Sequence, residues 1–183
     1  MFRALAFATT ATLAALLTPL AFSGTASAHG PTPQKMDQSI TIAAPAEKVW
    51  AVVGDFAGIA AWNPAIKSAE ATGGTERGAT RSLTLEKGAI TESLDSYSAE
   101  RRVYSFRLSR ENVAAFPVSF YTAKITVTEA GDESTVRWIG RFYRGDTGNF
   151  PSPEQDDAAA TTAMTDYIET ALAGLKTKVE GEN

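Results

Sequence analysis

The chain has 183 residues, 17 of them basic and 21 acidic, with one histidine, no cysteine and a net charge of −4. An acidic balance argues against nucleic acid as a partner, because that binding takes a basic stripe able to displace counterions. Without cysteine there are no disulfides, thiol nucleophiles or thiolate metal sites, and one histidine near the start leaves no material for a Ser-His-Asp triad or an H-E-x-x-H zinc site.

Arg3 is followed by an almost uncharged stretch, residues 4–22, and then by Thr25-Ala26-Ser27-Ala28, whose small residues at 26 and 28 suit signal peptidase. The pattern predicts a secretory signal, residues 1–28, cleaved after Ala28. A membrane anchor is the alternative, but Pro19 and the many alanines and threonines make a poor permanent span. The mature protein is therefore expected to be secreted or periplasmic, with no lipid anchor and no stable membrane anchor. It would have 155 residues, enough for one domain and one core, and a net charge of −5. His29 would become its N-terminus. A terminal amine and imidazole can chelate copper, but no second histidine completes such a site and Pro31 removes an amide, so a solvated tail and no metal or other cofactor are expected. Residues 29–37, HGPTPQKMD, read as a flexible leader.

The domain proper is expected over 38–180, with 181–183 as a tail. Ser39–Ile42 alternates as a strand. Pro45 is placed to open a short helix whose apolar residues are Val49, Trp50, Val52 and Val53. A second short turn carries Phe56, Ile59 and Trp62, and Asn63-Pro64 stops it, because the residue before proline is pushed out of the helical region. Six further strands are predicted at residues 66–71, 80–86, 90–97, 102–109, 118–128 and 134–143. Short turn-like connections make them an antiparallel meander. The last element is predicted to open at Ser152-Pro153-Glu154-Gln155 as a capping box and to run to about Val179. Ala160, Met164, Tyr167, Ile168, Ala171, Leu172, Leu175 and Val179 recur at helical spacing and give it one apolar face.

This order, together with PAEKVWAVVGDFAGIAAWNPAI, RSLTLEKGAITESL, STVRWIGRFY and the long final helix, resembles the START/Bet v 1-like (SRPBCC) superfamily. Within it the chain is similar to the polyketide cyclase/dehydrase and lipid-transport family, and the signal segment resembles the exported MxaD-like branch. The resemblance implies an α+β helix-grip fold, a seven-stranded antiparallel sheet curved around a long C-terminal helix, with two short helices after the first strand. It also implies a cavity between sheet and helix, and it puts the Gly73–Gly78 loop, which reads from its residues as a hairpin rather than a phosphate loop, near the cavity mouth as a possible gate.

Polar residues on inward faces carry the chemical signal. Ile90, Glu92 and Leu94 share one face of a strand. A carboxylate there is expensive to bury unpaired. Glu92 therefore faces a solvent-filled cavity, meets a basic partner such as Arg81 or Arg107, or binds a polar group on a ligand, unless a bulge turns it outward. Val136, Trp138 and Phe142 share one face with Gly140 between them, while Arg137, Arg141 and Tyr143 take the other. Tyr104, Phe106 and Leu108 form a similar inward set, and a bulge in FPVSFYTAK leaves the parity of Tyr121 open.

The first functional expectation is a non-catalytic monomer that binds a small hydrophobic or amphipathic ligand. Its binding residues would be Trp62, Pro64, Leu83, Leu85, Glu92, Tyr104, Tyr121, Trp138, Met164, Tyr167 and Ile168, and Glu92→Gln would alter selectivity more than stability. The second is a cyclase/dehydrase-like enzyme with Glu92 as general base and Tyr104, Tyr121 or Arg81 polarising a carbonyl. The third, implied by the resemblance, is an accessory protein for a periplasmic dehydrogenase of the methanol-oxidation type, acting on a protein partner.

Overall fold

The computed structural model describes residues 30–181. The expectations for the signal segment, its cleavage site, His29 and residues 182–183 lie outside the described residues. Seven strands, β1 (Gln34–Ile42), β2 (Ser68–Thr72), β3 (Thr80–Leu85), β4 (Gly88–Ser98), β5 (Val103–Arg110), β6 (Val118–Ala130) and β7 (Glu133–Arg144), form one antiparallel sheet. Their spatial order is β1-β7-β6-β5-β4-β3-β2. Only the first strand leaves sequence order, crossing to pair with the last. Helix α1 (Ala46–Val53) and a short 3-10 helix, Ala57–Ala61, fill the crossing, and helix α2 (Asp157–Glu180) lies along the sheet. This is the helix-grip α+β architecture.

Two boundaries differ from the sequence reading. β1 begins at Gln34, so Gln34–Asp37 belong to the sheet rather than to a leader. Met36 alternates inward with Gln38, Ile40 and Ile42, and Gln34 pairs with Phe142. The two prolines at 31 and 33 end just before it. Helix α2 begins four residues after Pro153, because Asp156 has the extended backbone and free carboxylate that a cap needs. Its Oδ1 accepts from Ala159 N at 2.9 Å, while Ser152 and Gln155 close only a backbone turn. Asp156→Ala should therefore cost about 1 kcal/mol in urea unfolding, and Ser152→Ala almost nothing.

The eight apolar positions predicted for the final helix are those it buries. They pack on the inward residues of the sheet: Leu83, Ile90, Leu94, Phe106, Ile125, Val127, Val136, Trp138 and Phe142. Fully burying one such side chain stabilises by about 1.5–3 kcal/mol. Val49 and Val53 anchor α1, and Phe56, Ile59 and Trp62 anchor the segment after it. Close approach of α2 to the Trp62–Pro64 turn depends on Gly174, where an added Cβ would collide with the Trp62 carbonyl and lie 2.5 Å from Pro64 Cδ.

One irregularity controls the interior. β6 bulges between Ser119 and Thr122 relative to β7. Phe120 takes the extra position with φ +48°, leaving its ring 64% exposed, while Ser119 and Tyr121 both turn inward. The bulge settles the parity of Tyr121, which alternation alone left open.

Candidate functional site

Arg81 and Glu92 are directly opposite one another on β3 and β4, both on the inner face and both fully buried. Arg81 Nε donates to Glu92 Oε2 at 2.5 Å, and Arg81 Nη1 donates to the Phe56 carbonyl at 2.8 Å. The Tyr121 hydroxyl donates to the other carboxylate oxygen, Oε1. The guanidinium lies between two rings, 4.1 Å from the centroid of Phe56 and 4.9 Å from that of Phe106. Cation–π attraction, an ion pair and two hydrogen bonds together compensate a charge that would otherwise be prohibitively costly to bury.

Of the partners foreseen for Glu92, the structure selects Arg81. Arg107 faces outward and meets Asp95 at 2.7 Å instead. This corrects the expectation for Glu92→Gln. Removing the anion would strand a buried guanidinium, so the substitution acts first on stability.

Near the pair, Arg81 Nη2, Tyr104 OH, Tyr167 OH and Trp138 Nε1 are buried without a hydrogen bond of good geometry, although Arg81 lies close to the Tyr104 hydroxyl and Asn63 close to that of Tyr167. Trp62 Nε1 and Asn63 Nδ2 are in the same condition beside the groove that Pro64 lines. The rings around the pair interlock. Tyr104 meets Phe56 edge-on at 6.0 Å, Trp138 meets Phe106 at 5.8 Å, and Tyr167 meets Trp138 at 6.0 Å. Buried polar groups are normally paired, so the hydroxyls of Tyr104 and Tyr167, with Arg81 and Asn63 beside them, and the Trp138 indole N–H keep capacity for a further polar partner.

Burial pushes the Tyr104 phenol up to about 12, against the opposing pull of Arg81. Burial, reinforced by the Glu92 charge, pushes Tyr121 and Tyr167 well above the ordinary phenol range. For Arg81, burial pulls down most strongly of any single influence, but Glu92 and the neighbouring tyrosines together raise it, so it stays a cation. A phenol whose pKa is higher when folded stabilises the fold fully below the unfolded value, near 10, and loses that contribution as pH rises through the folded one. Absorbance titration at alkaline pH should therefore withhold the phenolate signal of these three tyrosines past about pH 10, the ordinary phenol value, until the protein unfolds, and then release it cooperatively.

Ten of the eleven predicted lining residues are buried: Trp62, Leu83, Leu85, Glu92, Tyr104, Tyr121, Trp138, Met164, Tyr167 and Ile168. Pro64 is the exception. It is exposed and lines a groove on the outer side of α2, beside Gly174 and Thr177. The fixed ring ends the short helix and packs on the back of α2 rather than into the interior.

At one end of the sheet an open cleft of about 640 Å³ lies between α2, the β3–β4 turn and the segment before β6. Leu85, Lys87, Phe116, Pro117, Ala163 and Tyr167 are among its walls. Phe116 lies 5.4 Å from the Tyr167 ring, and Tyr167 in turn touches Trp138, so these two rings separate the cleft from the polar cluster. The Gly73–Gly78 loop contributes no wall to this cleft. It joins β2 to β3 at the opposite end of β3, away from this cleft.

Sequence reasoning missed Asn63, Phe56 and Phe116. Asn63 read only as a helix stop, and the rings of Phe56 and Phe116 carry no spacing signal that links them to Arg81 or Tyr167. Leu108, placed with Tyr104 and Phe106, is only partly buried, at the fringe of the core. Among the described residues no three His, Cys, Asp or Glu side chains are grouped to hold a metal ion.

A helix-grip fold that encloses aromatic walls and a paired charge defines a class of small-molecule-binding proteins. Residues 33–180 match the family described as polyketide cyclase/dehydrase and lipid transport, and the chain belongs to that family. It is similar to the solved structure of the protein XoxI from Bacillus cereus, at 26% identity over 79% of this chain and 94% of that one, with a TM-score of 0.65. It also shares its fold with an aromatase/cyclase, Zhui, from a Streptomyces species, at 18% identity over 81% and 94% of the two chains and a TM-score of 0.62. Norcoclaurine synthase from Thalictrum flavum, solved with dopamine and hydroxybenzaldehyde, superposes at a TM-score of 0.64 with 14% identity over 94% and 99%. No curated protein matches the chain in sequence.

Proposed function

We propose that this protein is an exported, non-catalytic carrier of a small amphipathic molecule held between the sheet and α2. The observation that carries the reading is the set of incompletely satisfied polar atoms of Arg81, Tyr104, Tyr167 and Trp138 within an otherwise apolar interior. A ligand with an aromatic or aliphatic body and a hydroxyl or carbonyl end would satisfy them. Its apolar part would contribute about 25 cal/mol per Å² buried, before ordering costs.

Both oxygens of Glu92 already accept from Arg81 and Tyr121, which suits a carboxylate that orients donors better than a general base. Arg81 and Glu92 also cancel as charges. The site therefore favours a neutral polar end over a free carboxylate or an amine. Export rests on Arg3, the uncharged stretch at 4–22 and the small residues before His29. Among the described residues no helix is long and apolar enough to cross a membrane.

The test uses the protein isolated from its own host and analysed by native mass spectrometry, with denaturation to release and identify any bound molecule. N-terminal sequencing of the same sample reads the cleavage site. A stoichiometric neutral amphiphile supports the carrier reading, and bare protein that also fails to bind a neutral fluorophore such as phenylnaphthylamine overturns it. Tyr104→Phe combined with Tyr167→Phe gives an independent check. The double variant keeps both rings and gives up only the contacts of Tyr104 with Arg81 and of Tyr167 with Asn63, so it should lose about 1–2 kcal/mol of stability at most and bind the native ligand about tenfold more weakly, as expected for lost hydrogen bonds.

A further inference from the structure

The outer face of the sheet distributes charge unevenly. Arg137 grips Asp37 through hydrogen bonds of 2.8 and 2.6 Å, and Arg107 meets Asp95. Lys35, Lys124 and Arg141 have no such partner among the described residues. Lys35 and Arg141 stand directly opposite each other on β1 and β7. Like charges in that position repel and destabilise the pairing. Lys124 lies one step along on the same face of β6, opposite Ile139. The fold gains nothing from these three cations.

They border a continuous trough. One part, about 470 Å³, includes Lys35, Asp37, Asp95, Thr122, Lys124 and Arg141 among its walls. A second part, about 250 Å³, shares Lys124 and Ile139 with the first and runs on past Thr126, Thr128, Thr135 and Arg137. From Thr122 to Thr128 the trough extends about 20 Å at about 3.3 Å per residue. Beyond Arg141, the exposed Phe120 meets Tyr143 edge-on at 6.5 Å. The φ of +48° at Phe120 is costly for a bulky residue, and it holds an aromatic ring out in water at the trough's end.

We propose that this trough binds an extended acidic segment of a partner protein. Charge complementarity selects the occupant: three unpaired cations collect on one face of a chain whose net charge is −4. Extended backbone matches the straight path along β6 and β7, and side chains at every second position would meet the cations at Arg141 and Lys124, two residues apart along the strands. Phe120 and Tyr143 supply the aromatic contact typical of an interface anchor. Asp37 and Asp95 inside the trough, though ion-paired, disfavour a continuous phosphate backbone. The proposal is independent of what the interior binds.

The test is fluorescence anisotropy of a labelled peptide of alternating glutamate and threonine, long enough to span the trough, titrated with the mature protein at low and at physiological salt. Saturable binding that weakens with salt and falls about tenfold in Lys35→Glu and in Lys124→Glu is the expected result. Lys35→Glu converts a repelling cross-strand pair into an attracting one, so it should melt no lower than the parent while binding less. Lys124→Glu, which faces no charge across the strands, is the second variant should the first misfold. Absence of saturable binding, binding by both variants as tight as the parent's, or binding to phosphatidylglycerol vesicles without binding to the peptide would overturn the proposal.

Discussion

Glu92→Gln is expected to destabilise the protein by about 3–5 kcal/mol, the cost of leaving one member of a buried ion pair without its counter-charge. The guanidinium of Arg81 would remain fixed between Phe56 and Phe106, hydrogen-bonded to the Phe56 carbonyl, with a neutral amide in place of the anion. Tyr121, which donates to the same carboxylate, would lose a charged acceptor at the same time. Chemical denaturation at neutral pH measures the loss. A companion double variant, Arg81→Met with Glu92→Leu, removes both charges and should regain most of that stability, since buried pairs can be replaced by apolar residues of similar volume. A Glu92→Gln protein within about 1 kcal/mol of its parent would mean that water reaches the pair freely.

Gly140→Ala is the second large effect, about 3 kcal/mol, at the upper end of ordinary overpacking because the obstacle is backbone. Gly140 lies among inward residues of β7, opposite Ala123 of β6, just where the bulge brings the Thr122 carbonyl close. An added Cβ would overlap that carbonyl and lie 2.7 Å from the terminal methyl of Met36. A side chain can yield, but the Thr122 carbonyl cannot move without disturbing the bulge that points Tyr121 at Glu92. The variant should therefore lose near-ultraviolet circular dichroism from the packed aromatic rings as well as thermal stability. Loss of stability with the aromatic signal unchanged would show that the bulge does not depend on this glycine.

Much of the architecture was legible because its signals are local. Alternation of apolar residues marks six of the seven strands to within about two residues, and the three- and four-residue spacing of Ala160 to Val179 identifies the buried face of α2. The inward parity of Glu92 follows from Ile90 and Leu94 beside it. Errors fell where local signals compete. Ser152 and Asp156 both resemble caps, and only the path of the chain past Arg144, which meets Asp157 at 3.1 Å, decides between them. Pro64 shares a short turn with buried Trp62, but nothing in the turn says which of the two points inward.

The sequence by itself determined the order of elements and the presence of a carboxylate on an apolar face, because periodicity and turn chemistry act between near neighbours, while its resemblance to the superfamily implied the helix-grip class. Tertiary structure alone decided that Arg81 meets Glu92, that Tyr121 joins them, and that Phe116 and Tyr167 stand between the cleft and the cluster. Those relations depend on strand register, a bulge and helix docking, each set by many weak contacts between residues far apart in the chain. Register also put Lys35 opposite Arg141, a juxtaposition of residues more than a hundred positions apart that no local pattern encodes.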